Sequence, residues 1–208
     1  SVALTILVFI FIINAFNLID GIDGLAGTIA ALSCLAFGTY FLLNSNHFMT
    51  LVSFALGGSL IGFLRYNLSR SKSKKLFMGD TGSMIVGFLL SFQAICFLKI
   101  NTLAATTYTV ENAPVLVLAI FSYPILDTIR VFVLRIYQKK NPFVADRSHI
   151  HHRLLEMGIS HKRATVIITI ITVLIVQITF ITGNFYVNFQ LYFLVIMVAM
   201  AYIWLLRL

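Results

Sequence analysis

The fold class this sequence predicts is an all-α, polytopic transmembrane helix bundle, and three observations predict it. The 208 residues are 60% hydrophobic and 11% charged, whereas a soluble domain carries about 25% charged residues. The apolar residues gather into seven long runs, and a chain crossing hydrocarbon can satisfy its open backbone only as helix. The cationic residues occupy alternate connections between those runs, as the positive-inside rule requires of a multi-pass protein. About seven transmembrane helices are therefore expected, forming one integral-membrane domain over residues 1–208.

Taken in order, the runs are 2–16, 25–43, 48–64, 84–98, 113–134, 164–182 and 189–206. The first is short of the ~20 residues that cross a bilayer. The chain also opens on Ser1 with no basic flank of the signal-peptide kind. Both features predict a fragment whose N-terminal part is missing, the C-terminal part of a larger bundle. Cys34 and Cys96 both lie inside apolar runs, which makes them small hydrophobes rather than a disulfide or a metal pair.

Charge sets the expected orientation. Arg65, Arg70, Lys72, Lys74 and Lys75 follow the third run, and Arg135, Lys139, Lys140, Arg147, Arg153, Lys162 and Arg163 follow the fifth; loops of the opposite parity hold Lys99 alone. Both basic loops are expected in the cytoplasm, and by alternation so is the turn after the first run. Those three connections carry "NLIDGIDG", "FMGDTGS" and "DRSHIHHRL", and five of the seven acids: Asp20, Asp23, Asp80, Asp146 and Glu156. Carboxylates, glycine turns, histidines and cations on one face suit a magnesium-bound, multiply charged phosphate substrate.

Each motif has its own chemistry and a plainer alternative. Asp20 and Asp23 are three apart and share a face if they open the second helix, while Gly21 and Gly24 permit close approach of backbone to a ligand. The plainer account is acids favouring a helix N-terminus. In "FMGDTGS", Asp80 could hold Mg²⁺ through one oxygen beside an anion-binding turn; alternatively this is a Gly-Asp turn with Ser83 as N-cap. Phe77 either stacks a base or anchors the loop in the interface. His149, His151, His152 and Arg153 suit phosphate contact, with zinc the rival, and Asp146 with Arg147 reads as a loop ion pair. Asp127, inside the fifth run, is read as a structural partner of Arg130 one turn away. His47 and His161 are read as plain loop residues.

The combination "NxxNLIDGIDGLAG", "FMGDTGSM" and "HIHHRL", in that order and on one side, closely resembles the polyprenyl-phosphate N-acetylhexosamine-1-phosphate transferases, the superfamily that also contains phospho-MurNAc-pentapeptide translocase. The motifs are nearer to the bacterial UDP-GlcNAc branch that starts O-antigen, enterobacterial common antigen or teichoic acid. The resemblance implies transfer of a sugar-1-phosphate from a UDP-sugar to undecaprenyl phosphate with release of UMP, in the bacterial inner membrane with its active face cytoplasmic. By position it implies that Asn17 and Asp80 bind Mg²⁺, with Mn²⁺ admitted. Asp20, Gly21, Ile22 and Asp23 would line the nucleotide pocket, with Phe77 on uracil. His149, His151, His152 and Arg153 would hold the pyrophosphate. Asp23 and Asp80 are the catalytic candidates, through either direct attack or a covalent phosphosugar intermediate. The expected partners are the UDP-sugar, undecaprenyl phosphate and membrane lipid, without nucleic acid, and with a homodimer admitted.

One departure accompanies the resemblance. The family's adjacent aspartate pair has no counterpart, since no Asp-Asp dipeptide occurs in the chain, and it is expected upstream of Ser1. Two alternatives stand beside the transferase: a transporter with Asp127 on an ion pathway, and a prenyl-diphosphate phosphatase that needs no nucleotide pocket.

Overall fold

A computed structural model describes residues 2–104, 106–139, 141 and 149–207. Lys140, Asp146, Arg147 and Ser148, and with them the expected Asp146–Arg147 pair, lie outside the described residues. The architecture is all-helical, as the composition predicts. The helices are α1 (Val2–Ile19), α2 (Leu25–Leu43), α3 (His47–Asn67), α4 (Gly79–Asn101), α5 (Ala113–Ile120), α6 (Ser122–Tyr137), α7 (Ile150–Glu156), α8 (His161–Ile181) and α9 (Val187–Arg207), with a 3₁₀ turn at Lys72–Lys74. Five helices, α1 to α4 and α8, are long and apolar enough to cross a membrane, and α5 with α6 makes a sixth, broken span. The apolar part of α9, Val187–Met200, is shorter.

Three boundaries differ from the sequence reading, each for a local reason. The fifth run is not one helix: it bends by 72° at Phe121. Pro124 supplies the cause, because it has no N–H for the carbonyl of Ile120 and its ring crowds that turn. The fourth helix starts at Gly79 instead of near Met84, so the "GDTGS" residues form its first turn and are not a loop before it. Ser83 is accordingly no N-cap; that position is Met78, and the Ser83 hydroxyl donates back to the Gly79 carbonyl at 3.1 Å. The first helix runs on to Ile19, which carries Asn17 in its last turn.

A chain of aromatic rings holds the bend in place. Phe121, at the break, meets Phe16 of α1 edge-on at 5.8 Å and Phe37 of α2 at 5.9 Å. Phe37 in turn packs on Phe97 of α4, which meets Tyr40 at 4.5 Å. All these rings are buried, and edge-to-face pairs add about 0.5–1.5 kcal/mol each beyond area burial. α1 and α4 approach so closely at Gly87 that a Cβ there would strike the Cα of Ile13. In lipid, where apolar association gains nothing from excluding water, such small-residue contacts set helix spacing. One turn nearer the helix ends, the same contact brings Asn17 against Asp80 and Ser83.

Candidate active site

The end of the bundle formed by the α1–α2 turn, the α3–α4 connection and α7 gathers the three sequence motifs. Asn17 Nδ2 donates to Asp80 Oδ1 at 3.2 Å and to Ser83 Oγ at 3.0 Å, tying the first motif to the second. Asp20 stands near enough to Asp80 to feel its charge. Burial first, and that like charge second, push the Asp20 carboxyl up to about 6.

A second group forms around Asp23. Its Oδ2 lies 2.5 Å from Lys75 Nζ, its carbonyl accepts from Thr165 Oγ1 at 2.8 Å, and its N–H donates to His161 Nδ1 at 3.4 Å. His161 opens α8 and caps the turn from above, so it is not the plain loop residue that the sequence suggested. His47 likewise is no loop residue, since it opens α3. Asn67 bridges two motifs: its Oδ1 accepts from the Gly24 N–H at 2.6 Å, and its Nδ2 donates to the Leu76 carbonyl at 2.7 Å. The next residue, Phe77, is 74% exposed, and Lys75 Nζ sits 5.4 Å from its ring centre. The ammonium thus lies between the Asp23 carboxylate and an open aromatic face. Ile22, by contrast, is turned into the apolar core.

The histidine motif is fastened from the bent span. Asp127, 0% exposed, accepts from His149 Nδ1 at 2.8 Å and from the Ile150 N–H at 3.0 Å. Arg130 does lie beside it, 3.6 Å away, but the pairing with Arg130 alone that the sequence suggested leaves out both shorter contacts. Tyr123 places its hydroxyl 3.1 Å from His151 Nδ1. The rings of His149 and His151 stack at 5.5 Å, and His152 lies 4.4 Å beyond. His151 is fully buried, and burial, reinforced by the neighbouring histidines, pushes it down to about 3 despite the pull of Asp127. Among the described residues its Nε2 has no hydrogen-bond partner, and it faces Gly21 so closely that any Cβ there would collide with it. That contact seats the third motif on the first and explains a glycine at this position. Arg153 is exposed at the rim.

All three motifs therefore meet at one end. His149 and His151 are walled in by protein, whereas Phe77 and Arg153 are open. Sequence reasoning missed Asn67, Lys75, Tyr123, His161 and Thr165, and it gave Asp127 too small a role. The one signal that could have found two of them is the i,i+4 spacing of Tyr123 and Asp127, which puts both on one helix face. Among the described residues, no three of His, Cys, Asp and Glu converge as a metal-holding group, so the zinc alternative gains no support. A cavity of 920 Å³ lies between α2, α5 and α8, lined by Leu32, Ala36, Tyr40, Val176 and Phe180. It is apolar, opens along the other half of the bundle, and shares no residue with the polar cluster.

Residues 1–98 match the family model described as glycosyl transferase family 4. Over 180 residues, 81% of the chain, the sequence is 37% identical to a decaprenyl-phosphate N-acetylglucosaminephosphotransferase of Mycolicibacterium smegmatis, covering 44% of that protein. It is 29% identical over 167 residues to the undecaprenyl-phosphate alpha-N-acetylglucosaminyl 1-phosphate transferase of Escherichia coli, covering 80% of the chain and 44% of that protein. With the enzyme of the same description from Salmonella typhi it is 31% identical over 159 residues, covering 76% of the chain and 41% of that protein. The chain thus spans less than half the length of these relatives.

Proposed function

We propose that this chain, which belongs to glycosyl transferase family 4, serves the transfer of N-acetylglucosamine-1-phosphate, or a related N-acetylhexosamine-1-phosphate, from a UDP-sugar to undecaprenyl phosphate, releasing UMP. The observation that carries this reading is the meeting of the three motifs at one end, where Asn17 bonds Asp80 and Gly21 seats His151. The reaction starts the lipid-linked assembly of a cell-envelope polysaccharide, and the active end faces the cytoplasm. The basic residues shared by the loops at this end support that orientation.

Asp80 and Asn17 are the residues proposed to hold Mg²⁺, with Mn²⁺ as a substitute. The donor set fits a hard cation once the Asn17 amide turns its Oδ1 instead of its Nδ2 toward Asp80: both donors are then oxygens, and Mg²⁺ takes one or two carboxylates and completes its shell with water and phosphate. The mutual repulsion of Asp20 and Asp80 is the electrostatic deficit that a divalent cation relieves. Bound there, the ion would neutralise the diphosphate and favour attack at phosphorus.

The remaining steps belong to the protein's own groups. Phe77 offers its open face to the uracil, with Asp20, Gly21 and Asp23 around the nucleotide. His152 and Arg153, with His149 through a protonated Nε2, hold the pyrophosphate through N–H donors, whereas His151, buried between Tyr123 and Gly21, seats the motif and does not reach it. An oxygen of the lipid phosphate attacks the sugar-linked phosphorus, the bond from that phosphorus to the UMP oxygen breaks, and the cations stabilise the departing phosphate. Asp23, paired with Lys75, is the second catalytic candidate beside Asp80. The transporter alternative finds no favouring observation, because Asp127 already holds His149 and Ile150.

The test is to incubate the full-length protein in detergent with undecaprenyl phosphate and, separately, UDP-GlcNAc, UDP-GalNAc or UDP-MurNAc-pentapeptide. UMP and a lipid-linked sugar diphosphate from UDP-GlcNAc are expected. Release of inorganic phosphate without UMP would favour the phosphatase and refute the transferase.

A further inference from the structure

Both carboxylate oxygens of Asp127 serve one short segment. Oδ2 receives His149 Nδ1 and Oδ1 receives the N–H of Ile150, the residue that opens α7. One buried side chain therefore fixes a histidine ring and also caps the helix that carries His151, His152 and Arg153. Tyr123, four residues earlier on α6, holds His151 from the same face. Both stand beyond the 72° break, so the bend is what turns this face of α6 toward the histidine motif. A carboxylate only accepts, which requires the hydrogen of His149 to reside on Nδ1 and leaves Nε2 as the basic nitrogen, which donates to a phosphate oxygen once it has taken up a proton.

We propose that Asp127 is a positioning residue for the transfer: it holds the Nδ1–H of His149 and docks the histidine motif on the bent span, so that Nε2 is the nitrogen that takes up a proton and then donates to the sugar-nucleotide diphosphate. The role rests on the transferase reading of the site. It resembles the way a carboxylate behind a metal-bound or catalytic histidine orients the ring, an arrangement whose loss typically costs 10–100-fold in activity. When Nε2 carries a proton toward a phosphate, Asp127 compensates the imidazolium from its other side.

The first measurement needs neither activity nor a destabilised variant. In ¹⁵N-histidine spectra of the protein in detergent, with His149→Gln used for assignment, the His149 signal should report a protonated Nδ1. An unprotonated Nδ1 would overturn the proposal even if every Asp127 variant misfolds. The second is a double-mutant cycle on UMP release. Asp127→Asn keeps the shape but offers one acceptor oxygen to two donors, so either the ring changes tautomer or α7 loses its cap. We expect it to lower kcat/KM about 10–100-fold, His149→Ala to lower it at least as much, and the double variant to be no worse than His149→Ala alone. Multiplicative losses would show that Asp127 acts independently of His149. Failure of the full-length wild-type protein to release UMP would refute the transferase reading, while the tautomer spectrum would still decide the positioning claim.

Discussion

The two ends of the bundle hold similar polar residues but differ in how many of them are charged side chains bonded to one another. At the end away from the candidate site, asparagine amides clasp backbone. Asn44 exchanges both hydrogen bonds with Tyr108, donating to its carbonyl and accepting from its N–H, and Asn101 does the same with Val110. Asn112 donates to the carbonyls of Gly183 and Phe185. Each side chain completes the hydrogen bonding of a loop that would otherwise leave its peptide groups open. At the site end Asn67 makes one such backbone clasp, but the motif side chains also bond other side chains: Asn17 with Asp80, Asp23 with Lys75, Asp127 with His149. Two carboxylates there repel, and among the described residues the buried Nε2 of His151 has no partner, although single unpartnered polar atoms such as Gln190 Oε1 also occur away from the site. The lesson is that amide polarity which finishes the backbone is structural wherever it lies, whereas titratable groups held in mutual repulsion mark where a charged ligand belongs.

The largest effect that would break this contrast is at Asp80. If its carboxylate supports a metal ion and transition-state charge, Asp80→Asn should lower kcat for UMP release by ~10² or more and raise the Mg²⁺ concentration needed for half-maximal rate. Wild-type turnover with an unchanged Mg²⁺ requirement would make the first turn of α4 as structural as the far end. The matching change at that far end is Asn101→Ala. It strands the N–H and carbonyl of Val110 together with the Tyr40 hydroxyl, which Asn101 also accepts from, and should cost ~1–3 kcal/mol of stability. Thermal melts in detergent would measure the loss, and the activity per folded molecule should not change.

Lys75 offers a smaller and more specific test. Its ammonium joins Asp23 to the face of Phe77, so Lys75→Met should alter how a nucleotide base is received without unfolding a loop whose other ties, through Asn67, remain. A rise in KM for the UDP-sugar of about tenfold, with kcat within about twofold, is the expected split; ~1.4 kcal/mol is what a tenfold change represents. A loss confined to kcat would move Lys75 from binding to chemistry.

The same contrast explains what could be read from sequence. Long apolar helices are legible because hydrocarbon leaves the backbone one solution, and the runs at 25–43 and 164–182 agree with α2 and α8 to within a few residues. The break at Phe121 was hidden because hydrophobicity runs straight through it; only Pro124 betrays it. Within the site, the motif residues stand out as polar groups in apolar surroundings. Their supports do not. Asn67 and Lys75 look like ordinary loop residues, His161 like a helix end, and Asp127 like half of an i,i+3 pair. Their partners in the first and third motifs lie at sequence separations of 22 to 138 residues, and no local pattern encodes a contact that exists only after the helices pack.

The smallest expected effect uses two groups whose titrations oppose each other. His151 is buried neutral, with its folded value pushed down to about 3 from 6.5, so the unfolded chain binds the proton first and stability falls as pH drops from about 6.5 toward 3. Asp20 is raised from 3.8 to about 6, so the folded chain binds its proton first and stability rises as pH drops through 6 toward 4. Between pH 6 and 4 the two contributions partly cancel. Melting temperatures measured from pH 7 to 4 without divalent cation should therefore fall more steeply with acidification in Asp20→Asn than in wild type. His151→Gln should give a shallower fall or a rise. Identical slopes for wild type and Asp20→Asn would mean that Asp20 does not carry the burial and the Asp80 repulsion assigned to it. The site end would then lack the charge strain that distinguishes it from the asparagine clasps opposite.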